Sequence, residues 1–422
     1  MDSEQQAADP RGSLRILFVA TQLPAPQDAG GKIRSFHIMR QLARIHDLTF
    51  VCTVSPSTDE SLLNQVRSIC PNFIAVPFRT VSINSWRYLL KLAGNFFGLK
   101  PFGIAKDYSP ELSERVVGLA RSGHYDLIVC DYLHAMINLR DLDSVPVLLF
   151  QHNVEAEILQ RHYQQARNPM HRLFWFYQWK KLESFERRTA RKAASCVAVS
   201  ERDRLIFKHL YGFKNVFAID TGVDIAYFSG LTGVRKPHQM LFTGSMDWRP
   251  NEDAMVFFSR EVMPQISGVI PDVSLKIVGR GPGKRVQMLA EGNPKIQVTG
   301  RVEDVRPFLA ESSLFVVPVR IAGGTRIKIF EAMASSIPVV STRIGAEGLS
   351  VTDQVHLLLA DTPEDFAAAA VRLMRDTTLA RNLAEKAKAF VSANNDWEII
   401  GRQFSDICYR TVQYQKGSGH EN

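Results

Sequence analysis

The chain has 422 residues, 45% of them hydrophobic and 22% charged, a globular composition that excludes a disordered or fibrous protein. No run of about 18 apolar residues occurs, so we expect no membrane-spanning helix, and the polar start of the chain lacks a signal-peptide pattern. The five cysteines are scattered, and no pair has metal-binding or redox spacing. We therefore expect a cytoplasmic protein with reduced thiols and no metal site.

Positive charge is concentrated in one segment. The whole chain carries a formal net charge of +8, and residues 161–192 alone hold nine Lys and Arg against two Glu, or +7. The same segment contains the aromatic run FWFYQW, residues 174–179. A basic helix with interleaved aromatic residues suits an anionic membrane surface. The alternative is a solvated basic helix whose aromatic side chains pack on their own domain. Nucleic-acid binding is a third hypothesis, but no recognised nucleic-acid motif accompanies the patch.

The first half of the chain alternates short apolar runs with helical patterns. A helix is predicted over residues 32–45. Strands are predicted at 14–20, 48–54, 125–129, 145–150, 195–199 and 216–219. This order is typical of a parallel sheet with helices on both faces.

The same rhythm restarts after the Gly-containing stretch 229–238, which we interpret as a linker. Strands are predicted at 239–243, 274–278, 296–299, 314–318, 338–341 and 356–360. The fold class is therefore α/β, with two doubly wound Rossmann-like domains over residues 14–228 and 239–397. We expect the domains to face a central cleft and a terminal helix (398–415) to pack back on the first domain.

Three glycines in the second half directly follow apolar strands. They are Gly244, Gly279 and Gly300. Glycine permits close backbone approach, and amides at a following helix start attract phosphate. Glycine also commonly ends strands, but three such loops favour a phosphate-bearing ligand. None fits the phosphate loop of ATPases, and the dinucleotide fingerprint is absent after the first strand.

The segment IAGGTRIKIFEAMASSIPVVST, residues 321–342, carries the strongest signal. Its two glycines free the backbone, and a threonine follows that can cap the next helix. The basic residues beside that helix start suit a diphosphate. A carboxylate about two turns along is placed to accept hydrogen bonds from a ribose diol. The alternative is an ordinary capped helix with this carboxylate in solvent, although its neighbours are small and apolar. The residues concerned are Gly323, Gly324, Thr325, Arg326, Lys328 and Glu331.

Two loops in the first half are candidate sites. His152 follows the predicted strand 145–150, at the edge where ligands bind in such sheets. A histidine there can donate a hydrogen bond to a substrate hydroxyl or stabilise developing charge. Gly30 and Gly31, followed by Lys32, form a loop suited to an anionic second substrate, although a plain turn explains them equally well.

These residues resemble the retaining glycosyltransferases of the GT-B fold, particularly family four (glycosyl transferases group 1). The resemblance covers about residues 14–412 and is most specific over residues 239–349. Trp397 matches an aromatic residue near the final helix, which in the family crosses back onto the N-terminal domain. The segments that carry the match are FTGSMDWRPNEDA, LKIVGRGP, VTGRVEDVRPFLAESSLFVVPV and GGTRIKIFEAMASSIPVVST.

The resemblance implies transfer of a sugar from a nucleotide-diphosphate donor to an acceptor hydroxyl, with retention and without a metal or other cofactor. Glu331 matches the ribose-binding glutamate of the family, and His152 matches the active-site histidine near the donor sugar. Gly30, Gly31 and Lys32 lie at the acceptor side. The implied donor-binding residues are Gly244, Arg249, Gly279, Arg301, Gly323, Gly324, Thr325, Arg326, Lys328 and Glu331.

Two positions depart from the family pattern. Gly323 stands where the family has the first glutamate of a pair, and Ser245 stands where it has an arginine. Arg249 lies one residue short of the family's phosphate-binding lysine. A catalytically silent sugar-nucleotide-binding subunit and a sugar-nucleotide epimerase of the same fold therefore remain alternatives. For a transferase, we expect a saccharide or lipid-linked saccharide acceptor of surface polysaccharide synthesis. We also expect peripheral location at the inner face of the cytoplasmic membrane.

Overall fold

A computed structural model describes residues 11–79, 85–86, 92, 94–95, 98–140, 145–321 and 327–418. The chain forms two compact units. The first comprises Met1–Ile219 and Gly401–Asn422, and the second Asp220–Ile400. Each unit has its own hydrophobic core built around a parallel sheet.

The first unit is a parallel sheet with the strand order β3-β2-β1-β4-β5-β6-β7. The strands are β1 (Arg15–Ala20), β2 (Asp47–Val54), β3 (Phe73–Pro77), β4 (Leu127–Asp131), β5 (Val147–Phe150), β6 (Ser195–Ala198) and β7 (Val216–Ala218). The helices are α1 (Gly30–Ile45), α2 (Glu60–Arg67), α3 (Phe102–Ala105), α4 (Pro110–Arg121), α5 (Glu155–Gln165), α6 (Pro169–Ala190) and α7 (Glu201–His209), with a 3₁₀ helix at Leu133–Asn138.

The second unit is a parallel sheet with the strand order β10-β9-β8-β11-β12-β13. The strands are β8 (Gln239–Thr243), β9 (Ser274–Val278), β10 (Ile296–Gly300), β11 (Leu314–Val317), β12 (Val339–Ser341) and β13 (Leu358–Leu359). The helices are α8 (Ile225–Ser229), α9 (Arg249–Phe257), α10 (Met263–Val269), α11 (Lys284–Gly292), α12 (Arg306–Glu311), α13 (Ile327–Ala334), α14 (Pro363–Arg375) and α15 (Thr377–Asn394), with a π-helical turn at Phe258–Val262 between α9 and α10. The last helix is α16 (Trp397–Ser418), which begins in the second unit and continues in the first.

The central strands are buried on both faces, as their continuous apolar runs predict. Every residue of β4, β5, β6, β8 and β11 is buried. The strand order runs outward in both directions from β1 and from β8, so crossovers of one hand place helices on both faces of each sheet. The carboxyl ends of neighbouring strands therefore lie along one edge of each sheet, which is where the candidate site residues lie.

The chain divides earlier than the predicted boundary at residue 228. Val223 and Phe228 are buried in the core of the second unit, so α8 belongs there rather than to the first domain or to a linker. At the other end, α16 from Gly401 onward packs in the first unit. Phe404 contacts Phe150, with ring centroids 4.9 Å apart, and Ser405 is 2.8 Å from the His46 ring nitrogen.

Candidate functional site

Glycines line one edge of the second sheet. Because β8, β9 and β10 are neighbours and run parallel, Gly244, Gly279 and Gly300 all fall at this edge. The Gly244 amide donates to the Val278 carbonyl at 2.9 Å, and the Gly279 amide donates to the Gly300 carbonyl at 3.1 Å. A β-carbon on Gly279 would lie 1.8 Å from the Gly244 carbonyl oxygen. The loop after β8 (Gly244–Trp248) and the loop after β9 thus approach each other more closely than any side chain allows.

A lysine lies over the first of these glycines. Lys328 Nζ would be 2.6 Å from a β-carbon on Gly244, and it donates to Asn251 Oδ1 at 3.1 Å. The Asn251 amide nitrogen donates in turn to the Ser245 carbonyl at 2.9 Å. The ammonium also lies 4.1 Å from the Phe242 ring centroid. A fixed cation therefore faces the loop at Gly244, where no side chain covers the backbone, an arrangement suited to an anionic ligand.

Glu331 lies one turn after Lys328 on α13. Part of the residue reaches the surface, but burial of its carboxyl raises its pKa to about 7, against a smaller opposing effect of the Lys328 charge. The next residues, Ala332 to Ala334, are fully buried. This carboxyl is a hydrogen-bonding group held at the border of the core, beside the lysine that faces the glycine loop.

The other predicted donor-binding residues are either exposed or outside the described part of the chain. Arg249 begins α9 and Arg301 follows β10, and both are exposed. Gly323, Gly324, Thr325 and Arg326 lie outside the described residues. The predicted contribution of the helix start before Ile327 therefore stays a prediction.

In the first unit, His152 is buried at the carboxyl edge of the sheet. Its Nε2 is 2.8 Å from Asp131 Oδ1, and Asp131 ends the neighbouring strand β4. The Tyr132 ring stacks on the imidazole at a centroid distance of 3.9 Å, and the Phe150 ring lies at 4.4 Å. Burial lowers the pKa of His152, although the hydrogen bond and charge of Asp131 act in the opposite direction. The neutral ring therefore donates through Nε2 and leaves Nδ1, which has no hydrogen-bond partner among the described residues, as an acceptor.

The glycine pair of the first unit lies beside the same histidine, and it forms the start of a helix rather than the predicted loop. Gly30 and Gly31 begin α1, and a β-carbon on Gly31 would lie 1.5 Å from the Tyr132 hydroxyl oxygen. Tyr132 has φ +67°, unusual for a residue with a side chain. Lys32 pairs with Asp28 at 3.1 Å and so turns toward its own loop. The structure thus brings Gly31 and His152 together through Tyr132.

Three residues that contact the candidate residues were not predicted from the sequence: Asp131, Tyr132 and Asn251. Asp131 and Tyr132 directly follow the apolar run LIVC, so their position after a strand was the available signal. Asn251 lies inside RPNEDA, where the family resemblance points to Arg249 instead. In each case the contact joins residues far apart in the chain, which spacing alone does not reveal.

The basic aromatic segment forms a helical hairpin of α5 and α6. Its aromatic side chains pack between the two helices: Tyr163 lies 5.5 Å from Phe176 and 5.8 Å from Trp179, and His162 stacks on Trp175 at 4.7 Å. Other apolar side chains point outward, since Met170 is 80% exposed and Leu173 is 54% exposed. The ring contacts agree with the alternative that the aromatic side chains pack on their own domain, and binding to a membrane surface stays a prediction.

No group of three or more His, Cys, Asp and Glu side chains is arranged to hold a metal ion in the described part of the chain. No helix within the described ranges combines the length and the apolar character needed to cross a membrane. All five cysteines are buried and unpaired.

Two family models match the chain in succession. Residues 30–227 match the model described as Glycosyltransferase Family 4, and residues 237–376 match Glycosyl transferases group 1. A Klebsiella pneumoniae protein described as an uncharacterized 44.6 kDa protein in the cps region is 20% identical over 90% of this chain and 96% of its own length. A phosphatidyl-myo-inositol mannosyltransferase of Propionibacterium freudenreichii is 25% identical over 50% of this chain and 54% of its own length.

Solved structures share the fold at low sequence identity. TarM superposes with a TM-score of 0.70 at 13% identity, covering 95% of this chain and 99% of its own. Anabaena HepE, in complex with UDP and glucose, superposes with a TM-score of 0.66 at 17% identity, covering 93% and 99%. Both parallel sheets and both family segments agree with this likeness. The chain is therefore a glycosyltransferase with the GT-B fold, whose first half matches the family-four model and whose second half matches the group 1 model.

Proposed function

We propose that this glycosyltransferase is a retaining, metal-independent enzyme that moves a hexose from a nucleoside-diphosphate donor to an acceptor hydroxyl. The observation that carries the proposal is the pairing on α13 of Lys328, fixed over the glycine loop, with Glu331 one turn later. The first suits a diphosphate and the second a ribose diol. HepE structures in complex with UDP and with UDP-glucose support this class of donor.

The proposed reaction breaks the bond between the anomeric carbon and the diphosphate and forms one to the acceptor oxygen. The acceptor hydroxyl enters on the face that the diphosphate leaves, and the departing oxygen takes up its proton. This route preserves the anomeric configuration and requires no enzyme nucleophile. Lys328 and the loop amides would stabilise the charge of the leaving group, where one such donor is typically worth about 10²–10³ in rate.

A donor screen tests this proposal directly. Thermal shift and nucleotide release would be measured with UDP-, GDP- and ADP-sugars, because a ligand at 100 times its dissociation constant stabilises by about 2.7 kcal/mol. We expect one donor family to raise the melting temperature of the protein. NMR of the product should show the anomeric configuration of the donor, and EDTA should leave the transfer rate unchanged. An inverted product or loss of activity in EDTA would contradict the proposal.

His152 is proposed as a catalytic residue near the transferred sugar. His152→Ala should reduce transfer strongly and leave nucleotide binding nearly intact, because the imidazole lies in the first unit while Lys328 and Glu331 lie in the second. His124→Ala is the matched control, since His124 is exposed in the same unit. Equal losses of binding and transfer in His152→Ala would overturn this role.

Two further hypotheses predict different outcomes. A silent binding subunit would bind one nucleotide tightly and transfer sugar to no acceptor in a broad panel. An epimerase would convert the donor sugar with no acceptor present. The matches to two glycosyltransferase models favour transfer over both.

We also propose that the enzyme acts on a saccharide or lipid-linked acceptor of surface polysaccharide or glycolipid synthesis, at the inner face of the cytoplasmic membrane. The Klebsiella relative from a cps region and the phosphatidyl-myo-inositol mannosyltransferase support this class of acceptor. The tip of the α5–α6 hairpin supports the location. Between Ile158 and Leu182 there is no Asp or Glu, while five Lys or Arg surround the exposed Met170 and Leu173. Apolar anchors within a basic surface suit anionic lipid headgroups.

Vesicle flotation tests the location. The full chain should float with phosphatidylserine-containing vesicles at low salt, and much less with phosphatidylcholine vesicles or at high salt. Met170→Ser with Leu173→Ser should reduce flotation. Leu205→Ser with Leu210→Ser, at exposed apolar positions elsewhere in the first unit, should not. Equal flotation of both double variants, or binding to nucleic acid instead of vesicles, would overturn the proposal.

A further inference from the structure

A second cation reaches the loop after β8, at the residue next to the one that Lys328 approaches. Arg280 directly follows Gly279, and its Nε donates to Ser245 Oγ at 3.1 Å. Lys328 approaches the adjacent Gly244, and Asn251 connects the lysine to the loop because it binds both Lys328 Nζ and the Ser245 carbonyl. A guanidinium and an ammonium thus both reach the short segment Gly244–Ser245.

The backbone holds Arg280 in this position. The Met246 amide donates to the Arg280 carbonyl at 2.8 Å, which ties the loop after β9 to the loop after β8. The next residue, Gly281, has φ +63°, and a β-carbon there would lie 3.1 Å from Asp247 Cβ. A residue other than glycine at this turn would adopt a strained φ and crowd the Asp247 side chain. The local fold therefore fixes the position of the Arg280 backbone, from which its side chain extends.

The carboxylate beside Arg280 is a weak competitor for it. Asp247 Oδ2 is 3.6 Å from Arg280 Nε, longer than a hydrogen bond, and its side chain is 55% exposed. Exposed ion pairs of this kind contribute little, because water screens them. A diphosphate carries more charge and matches the guanidinium through two parallel hydrogen bonds, so it is the stronger partner.

We propose that Arg280 binds the diphosphate of the nucleotide, together with Lys328, and that Asp247 holds its side chain when no nucleotide is bound. Arg280 thereby supplies the positive charge at a loop where residue 245 is a serine. This assignment rests on the proposed function, since it requires a nucleoside diphosphate at the Gly244 loop. Arg280 is a specificity-determining residue: it distinguishes nucleoside diphosphates from nucleosides, which lack the group that it contacts.

Calorimetric titration with UDP, GDP, ADP and the matching nucleosides tests the assignment. Arg280→Ala should weaken the affinity for the nucleoside diphosphate about 10- to 100-fold, the usual loss for a charged hydrogen-bonding group. The affinity for the matching nucleoside should change little. Arg280→Lys should recover part of the loss. Asp247→Ala should tighten diphosphate binding, because it removes the competing carboxylate. Arg285→Ala is the matched control, since Arg285 pairs with Glu252 in the same unit at 2.8 Å and is exposed.

The outcomes separate this inference from the proposed function. If the wild-type chain binds none of the three nucleoside diphosphates, both are overturned. If it binds one and Arg280→Ala binds it equally well, only the role of Arg280 is overturned. Equal weakening of nucleoside and diphosphate would mean that Arg280 merely supports the loop, and this too would overturn the assignment.

Discussion

At the residue scale, the first unit holds its histidine in one defined state. Asp131 accepts from His152 Nε2 at 2.8 Å, so the ring proton is placed on that nitrogen and Nδ1 presents a lone pair. Its position after a strand predicts a histidine that donates a hydrogen bond or carries positive character. The geometry instead favours acceptance of a hydroxyl hydrogen, because burial disfavours the charged ring.

Asp131→Asn tests this orientation. The carboxylate raises the pKa of His152 against the dominant effect of burial, so its replacement by a neutral amide should lower that pKa further. An amide can also donate to Nε2, which would move the ring proton to Nδ1. We expect transfer to fall about tenfold or more, with unchanged nucleotide affinity and an acidic limb of the pH–rate profile at lower pH.

NMR titration of the His152 ring would report the pKa itself. Asp107→Asn is the control, because Asp107 pairs with a different histidine of the same unit, His134, at 2.6 Å. A His152 pKa and transfer rate that match the wild type in Asp131→Asn would show that Asp131 does not position the ring.

Candidate residues were predictable from the sequence where the chemistry is local. Lys328 and Glu331 lie on one predicted helix, and the glycine pair precedes that helix in the sequence. His152 directly follows a predicted strand, so both signals lie within a few residues. Asp131 meets His152 only because β4 pairs with β5, and Arg280 meets Ser245 only because β9 pairs with β8. Such pairings depend on strand order, which no spacing in the sequence encodes.

At the scale of elements, continuous apolar runs predicted the buried strands closely. The predicted strands 239–243 and 274–278 coincide with β8 and β9. The strands at the sheet edges were predicted less well. β3 (Phe73–Pro77) was not predicted, and the predicted strand 356–360 is the shorter β13 (Leu358–Leu359) in the structure. Both are edge strands with one neighbour and partial burial, so their composition differs less from that of a loop.

The close approach of the loops after β8 and β9 predicts that a side chain at Gly279 reduces both stability and nucleotide binding. Gly279→Ala would place a β-carbon 1.8 Å from the Gly244 carbonyl oxygen, a backbone atom that has no rotamer to change. The loops must separate, so we expect a loss of about 1–3 kcal/mol in the free energy of unfolding and a marked loss of nucleotide binding. Chemical denaturation and calorimetric titration measure the two effects.

Gly268→Ala is the matched control. Gly268 lies in α10 of the same unit with nothing within 4 Å of the added carbon. There, alanine should leave binding unchanged and stabilise by about 0.5–1 kcal/mol, because it favours the helix. Comparable binding in Gly279→Ala and wild type would show that the close approach is not needed by the site.

At the scale of the whole molecule, each unit contains a carboxyl group whose pKa is raised by burial. In the first unit, Glu186 is fully buried and accepts from the amides of Glu155 and Ala156 at the start of α5. Burial, with a smaller effect of the Glu155 charge, raises its pKa to about 8. In the second unit the pKa of Glu331 is raised to about 7, also by burial.

These two groups predict that the unliganded enzyme loses stability as the solution becomes alkaline. Above the ordinary glutamate pKa of 4.5, the folded chain keeps protons that the unfolded chain has released. The free energy of unfolding therefore falls as pH rises, until it levels off above about pH 8. Each group contributes up to a few kcal/mol across this window. His152 acts in the opposite sense below pH 6.5, because its folded pKa is lowered.

Denaturation of Glu186→Gln and Glu331→Gln between pH 5.5 and 8.5 would resolve the two contributions. Glutamine keeps an oxygen acceptor but cannot ionise, so each variant should gain stability over the wild type at the alkaline end and little at the acidic end. Glu186→Gln should show the larger gain, since its pKa is raised further. Glu385→Gln, at an exposed position on α15, should track the wild type at every pH. Parallel pH curves for all four proteins would mean that neither buried carboxyl controls the stability of this enzyme.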